Sequence, residues 1–335
     1  MAKVEINEEE VNRLYDEFSS FIIKKLVGTP QEQYKKESTD IIFHYTNLSG
    51  LIGIIETQCL WATNLYFLND RNEYKHGMNI IKDVMESMKT KENQSIIHAV
   101  SVVLNEISEV DRYVTCFSKE GDSLSQWRAY ANNGNGISIG FNREKLESAL
   151  SGSNSFRYII YDIEKQKSSV KLIVDEATKF FLPKQKELNW SDYVYYYFVG
   201  YSISRILDFI IANYKDPAFQ EEKEYRIECR QYHNVLNTNV DRLEIYHRTN
   251  EKIIIPYTKI KTKPLVDKDV DKLKKPNEKL PYIFEITQLP IERIIVGPAS
   301  NQEEVIKSVK QLLQNNFYPV NSDVKVITSS IPYRA

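Results

Sequence analysis

The sequence predicts an α+β fold: a mixed β-sheet surrounded by helices, with a helical insertion and a C-terminal strand-helix-strand unit. Three observations predict it. Residues 112–118 (RYVTCFS) and 137–141 (ISIGF) are β-branched and aromatic runs of strand length. Residues 7–26, 72–88 and 91–110 instead repeat their apolar side chains every three or four positions, as amphipathic helices do. Near the end, an apolar run at 291–296, a Gly297-Pro298 turn, a helical stretch at 302–315 and a strand at 324–328 follow in order.

Composition narrows the class. The 335 residues suffice for one large domain or two ordinary ones. A hydrophobic content of 42% with 27% charged residues is that of an ordinary globular protein. A net charge of -2 predicts no general affinity for nucleic acid or anionic membrane. Eleven glycines argue against repeated phosphate-binding loops. Cys59, Cys116 and Cys229 lack CxxC spacing and fit a reducing compartment. No signal segment opens the chain, and the most apolar stretch, 193–204, is too short to span a bilayer. The expectation is a cytoplasmic protein.

Taken in order, residues 7–26 place Val11, Leu14, Tyr15, Phe18 and Ile22 on one helical face, acidic at the start and lysine-bearing at the end, which suits the helix dipole. Residues 1–40 are thus an N-terminal helical segment, and 41–335 a single domain. Its organising stretch is 41–77. An apolar run delivers His44-Tyr45-Thr46, Asn47-Leu48-Ser49 opens a helix that Gln58-Cys59 ends, and Leu60-Trp61-Ala62 is a second strand. Residues 119–122 form a turn, 123–130 (SLSQWRAY) a short helix or loop, and 132–136 (NNGNG) a loop needing positive φ. Residues 156–163 read as a strand; 168–181 and 191–214 read as helices, an insertion at about 168–215 covering one sheet face. Residues 221–230 alternate, with Tyr225, Ile227 and Cys229 on one side and Glu222, Glu224, Arg226 and Glu228 on the other, as an exposed edge or a cleft would require. Residues 243–260 resemble a hairpin turning at Thr249-Asn250, and 259–279 a lysine-rich solvated loop.

There is no GxGxxG, Walker loop, HExxH or GxSxG. Asp70, Glu73 and His76 form D-x-x-E-x-x-H, which on a helix lines up three groups that with His44 have the makings of a metal-dependent hydrolase. The simpler reading favours Asn69 or Asp70 as helix cap and Glu73 as its partner three residues on. What distinguishes the chain is an order: His-Tyr-Thr on a strand, an aromatic unit between two strands, then glutamates on a late strand.

That order resembles the ADP-ribosyltransferase superfamily, whose motifs are a His or Arg on the first strand, an aromatic or hydroxyl residue mid-chain and a late Glu. The pieces FHYTNLSGLIGIIETQCLWATNLYFLND, YVTCFSKEGDSLSQWRAYANNGNGISIGF, EEKEYRI, IIVGP and SSIPYR also resemble an uncharacterised bacterial family known only as a domain of unknown function. The superfamily resemblance implies a split mixed sheet and an NAD-consuming enzyme that cleaves the nicotinamide–ribose bond and passes ADP-ribose to a protein, nucleic acid or small-molecule acceptor, with a role as toxin or antiviral defence effector among its expectations. It implies that Glu224 stabilises positive charge on the ribose, that Glu222 orients the acceptor, and that His44, with Tyr45 and Thr46, holds the ribose side. Trp127 or Tyr130 stacks the nicotinamide, and Arg128 or Arg226 takes the pyrophosphate. No metal is implied. The middle motif, SQWRAY, departs from the simpler Ser-Thr-Ser strand of better-known members, and Glu224 is preferred over Glu222 as the second of the pair. A non-catalytic nucleotide-binding module is the further alternative.

Overall fold

A computed structural model describes residues 8–26, 40–68, 73–107, 110–150, 154–188, 190–231, 242–249, 253–262, 288–316, 318 and 324–333. The chain is α+β, and its mixed sheet carries helices on both faces. Helix α1 (Glu8–Leu26) is followed by β1 (Ile41–Thr46), α2 (Leu48–Thr57), β2 (Cys59–Asn64), α3 (Glu73–Met88), α4 (Gln94–Ile107) and β3 (Asp111–Ser118). Next come α5 (Leu124–Tyr130), β4 (Ile137–Asn142), α6 (Arg143–Ala149), β5 (Ser155–Tyr158), α7 (Ile163–Glu187) and α8 (Asp192–Ile211). The chain continues with β6 (Glu224–Gln231), β7 (Ile245–Thr249), β8 (Ile254–Lys261), β9 (Ile291–Val296), α9 (Gln302–Asn315) and β10 (Lys325–Thr328).

The strands run in the order β10-β9-β4-β1-β3-β2-β8-β7, with β6 on β3 and β5 on β6. Strand β3 therefore has three neighbours, and this is where the sheet forks. One edge pairs with β6 along its whole length, from Asp111↔Gln231 to Ser118↔Glu224. The other edge is shared: Tyr113 and Val114 pair with β2, whereas Ser118 pairs with Phe43 of β1. Between Val114 and Ser118 the two arms separate, and side chains take over: Thr115 Oγ1 donates to the Trp61 carbonyl (3.0 Å) and His44 Nδ1 lies 2.8 Å from the Cys116 carbonyl.

Two cores flank the sheet. Leu14, Phe18 and Ile22 of α1 share one with Ile81 of α3, Val100 of α4, Ile173 of α7 and Leu207 of α8. The predicted insertion is thus two helices of a larger layer that also takes in the N-terminal helix. On the other side Ile55 of α2, Leu146 of α6 and Leu313 of α9 pack on Ile42, Ile139, Ile227 and Ile294 of the strands. Among the described residues no helix is long and apolar enough to cross a membrane.

Several local expectations shift. The strand foreseen at 156–163 ends at Tyr158, because Ile160 bridges to Tyr214 and Asp162 caps α7 by accepting from Glu164 N and Lys165 N. Helix α6, capped by Asn142, was not foreseen. Glu222 precedes the strand instead of lying on it: 217–222 is a 3-10 turn, and Lys223 at φ 43 redirects the chain into β6. Lys259 and Lys261 belong to β8, not to a solvated loop. Asn250 and most of the lysine-rich stretch, 263–279, lie outside the described residues.

Candidate functional site

The fork opens into a cleft of about 500 Å³, within the range of roughly 300–1,000 Å³ that suits small ligands. Its lining comes from the elements that meet there: β1 with the start of α2, β2, β3, α5, the turn before β6, β6 itself, and the β7–β8 hairpin. Local chemistry fixes the β1 side. Asn47 ends the strand and caps α2 by accepting from Gly50 N (2.8 Å), and a Cβ on Gly50 would stand 2.1 Å from Thr46 Oγ1. A side chain at Gly50 would push the Thr46 hydroxyl aside.

His44 is held by the carbonyl of Cys116, which lies where β3 is in register with neither β1 nor β2. Burial outweighs that contact and lowers the imidazole pKa below 6.5, helped by the charge of Arg248. The ring is therefore neutral near pH 7. The nitrogen facing a carbonyl oxygen must carry the proton, which makes Nε2 an acceptor suited to a hydroxyl.

An ion cluster forms one wall. Glu224 accepts two bonds on Oε1 from Arg226, Nε at 2.9 Å and Nη2 at 2.7 Å, and one on Oε2 from Lys215 Nζ at 2.8 Å. Arg226 reaches on to Glu73 through both terminal nitrogens, and Lys215 reaches on to Glu222. Glu222 also accepts from the Tyr130 hydroxyl at 2.7 Å. Burial opposes ionisation of Glu224, but Arg226 and Lys215 prevail and bring its pKa to about 2. Glu73 moves the other way, because burial and the neighbouring Glu224 outweigh Arg226 and Lys215. Three carboxylates against two cations leave the wall one negative charge in excess when all are ionised. Accessibility differs within the pair: the Glu222 side chain is 17% exposed and that of Glu224 only 4%. Cys116 also lines the cleft, but burial and Glu224 push its thiol up, so it is no thiolate nucleophile near neutrality.

His44, Tyr45, Thr46, Tyr130, Glu222, Glu224 and Arg226 all line this one cleft. Trp127 and Arg128 do not. The indole is fully buried, edge-on to Tyr45 at 4.9 Å, and its Nε1 donates to Asp122 Oδ1 at 2.7 Å, so it has no face for a ligand. Arg128 lies over the Tyr333 ring at 5.1 Å. Arg226 lines the cleft, yet its donors serve Glu224 and Glu73, which removes it as a pyrophosphate clamp. The Tyr45 hydroxyl donates to the Glu120 carbonyl (2.8 Å) and accepts from Ser123 N (3.0 Å), a structural role. The SSIPYR motif also finds a place: Ser329 Oγ, Ser330 N and Ser330 Oγ all donate to Asp122, clasping the start of the unit that carries Tyr130.

Among the described residues the metal set does not assemble. His76 Nε2 pairs with Gln166 Oε1 at 2.9 Å, Glu73 is bound to Arg226, and Asp70 lies outside the described residues. Asn69 is outside them too, so the helix-cap reading falls outside the described residues; Glu73 belongs to the ion cluster. No group of three or more metal-ligating side chains occurs among the described residues.

Sequence reasoning missed Lys215 and Arg248. Lys215 follows an apolar helix and acquires its meaning only when the turn before β6 brings Glu222 and Glu224 onto it; Arg248 sits in a hairpin and acquires its meaning from β2, distant in sequence.

The sequence model of a family described as "Protein of unknown function (DUF2971)" matches residues 126–227. That stretch runs from α5 into β6 and carries Tyr130, Lys215, Glu222, Glu224 and Arg226, while His44 lies before it. No curated protein and no solved structure matches the chain. Over those residues the likeness is to an uncharacterised domain family.

Proposed function

We propose that the chain is an NAD-dependent ADP-ribosyltransferase-like enzyme that acts at the fork of its sheet. The observation that carries this reading is the convergence of His44, Tyr130 and the Glu222/Glu224 pair on one cleft. Breaking the nicotinamide–ribose bond sends the bonding pair to the departing nicotinamide nitrogen and leaves positive charge on the ribose. An acceptor nucleophile then bonds to that carbon and loses a proton. A preorganised negative wall is what such a transition state requires. Neutral His44 accepts from a ribose hydroxyl, and Tyr130, 37% exposed, offers a ring face to the nicotinamide. Glu224 anchors Lys215, and Lys215 together with Tyr130 orients Glu222, the more exposed of the two carboxylates.

The test is nicotinamide release by purified protein. Glu222→Gln is expected to slow it by roughly 10²–10³-fold, the loss typical for one preorganised group, with the thermal midpoint held near that of the parent. A parent that neither binds nor consumes NAD sinks the reading, and so does a Glu222→Gln variant of full activity. One observation favours a second reading, a non-catalytic nucleotide-binding module: both Glu224 oxygens are already engaged by buried cations. Saturable NAD binding without turnover, with candidate acceptors present, selects that alternative.

A further inference from the structure

The two arms of the fork bring opposite charge to the cleft. The wall built on β6 is negative, whereas the β2–β8–β7 arm presents Arg248. Its Nη2 donates to Thr63 Oγ1 at 2.8 Å, and its guanidinium lies 5.6 Å from the Tyr257 ring and 6.0 Å from the Trp61 ring. Arg112, Arg157, Arg226 and Arg230, the arginines of β3, β5 and β6, are each answered by a carboxylate. Arg248 forms no ion pair among the described residues, although burial lowers its pKa. A partly desolvated guanidinium stays charged and is costly until an anion answers it. Thr63 fixes one nitrogen, which presets the direction in which the remaining N–H donors can fork onto two oxygens.

We propose that Arg248, oriented by Thr63, is an anion subsite that takes a phosphoryl group of a nucleotide diphosphate. The same cation helps to keep His44 neutral, which sets a hydroxyl acceptor and a phosphate donor in one cleft. A ligand with a cationic ring at one end and a diphosphate at the other matches this polarity. The subsite replaces Arg128 and Arg226, both committed elsewhere, as the diphosphate contact. It deepens the nucleotide reading above and rests on it for the identity of the ligand.

The experiment is calorimetric titration of the full chain with ADP and with inorganic pyrophosphate. Arg248→Gln is expected to weaken ADP about ten- to hundred-fold, the range for losing hydrogen bonds to a charged partner. Added salt is expected to weaken ADP for the parent far more than for that variant. Thr63→Val, which keeps the charge and frees the fork, gives a smaller loss in the same direction and serves if Arg248→Gln fails to fold. Equal ADP affinity in parent and variants overturns the proposal, as does a parent that binds neither probe. A parent that binds ADP through Arg248 but releases no nicotinamide from NAD keeps the subsite and sinks the transfer reaction. Unchanged turnover at limiting NAD in Arg248→Gln keeps the reaction and sinks the subsite.

Discussion

Strand β6 carries two ion clusters on one face, and they differ in what surrounds them. Glu224 and Arg226 open onto the cleft, with Glu73, Lys215 and Glu222, and hold an excess of negative charge. Two residues further along, Glu228 is gripped by Arg112, Arg157 and Arg230, and Asp208 of α8 by Arg112 and Arg230, with Tyr74 completing the set. Here three guanidinium groups face two carboxylates, beneath the helical layer. The same alternation of Glu and Arg thus yields a cleft-facing wall at one end and a sealed brace at the other. What differs is the roof: the fork uncovers the first cluster, and α3 and α8 cover the second.

The largest expected effect belongs to the sealed cluster. Glu228→Gln leaves three buried cations against one carboxylate and is expected to cost about 3–5 kcal/mol, as breaking a buried pair does, read from urea unfolding of parent and variant. Nicotinamide release at low denaturant is expected to persist, in contrast to Glu222→Gln. If Glu228→Gln unfolds as the parent does, the brace contributes nothing and the comparison fails.

Acid separates the clusters next. Glu224 titrates near 2 instead of 4.5, so its contribution to stability is fully present above about pH 4.5 and is lost as pH falls through about 2; Glu228 is held lower still. Glu73 is shifted upward by burial and by its neighbour Glu224, and it is protonated before Glu224 on acidification. Protonation there removes negative charge from the wall without breaking the brace. NAD turnover should therefore fall at a higher pH than the circular-dichroism signal of the fold. Coincident transitions would mean that the two clusters act as one.

A smaller effect is expected at the clasp. Asp122→Asn weakens its bonds to Ser329, Ser330 and Trp127 and is expected to cost about 1 kcal/mol of stability. Because the clasp seats the helix that bears Tyr130, it is also expected to raise KM for NAD more than it lowers kcat. Unchanged kinetics would reduce the clasp to a tether of the C-terminal segment.

Much of this was legible along the chain. The apolar spacing of Leu14, Phe18 and Ile22, the Asn47 cap, the Asn-rich loop at 132–136 and the closing strand-helix-strand unit are all local signals, and each predicted its element. His44, Tyr130 and Glu224 could be named because residue type and order along the chain suffice to suggest them. Their partners could not. Trp127 reads as a stacking residue until Asp122 and Tyr45 are seen to enclose it, and Arg226 as a phosphate clamp until Glu73 arrives from a helix some 150 residues earlier.

The sequence by itself determined the elements and the kind of chemistry available, because hydrophobic period, caps and turn residues act over a few positions. Only the tertiary structure decided which charges are spent and which are offered. The forking of β3 between two arms is a matter of long-range pairing, and it is at the fork that the Cys116 carbonyl meets His44, that Glu222 lines the cleft and that Arg248 stands without an ion pair among the described residues.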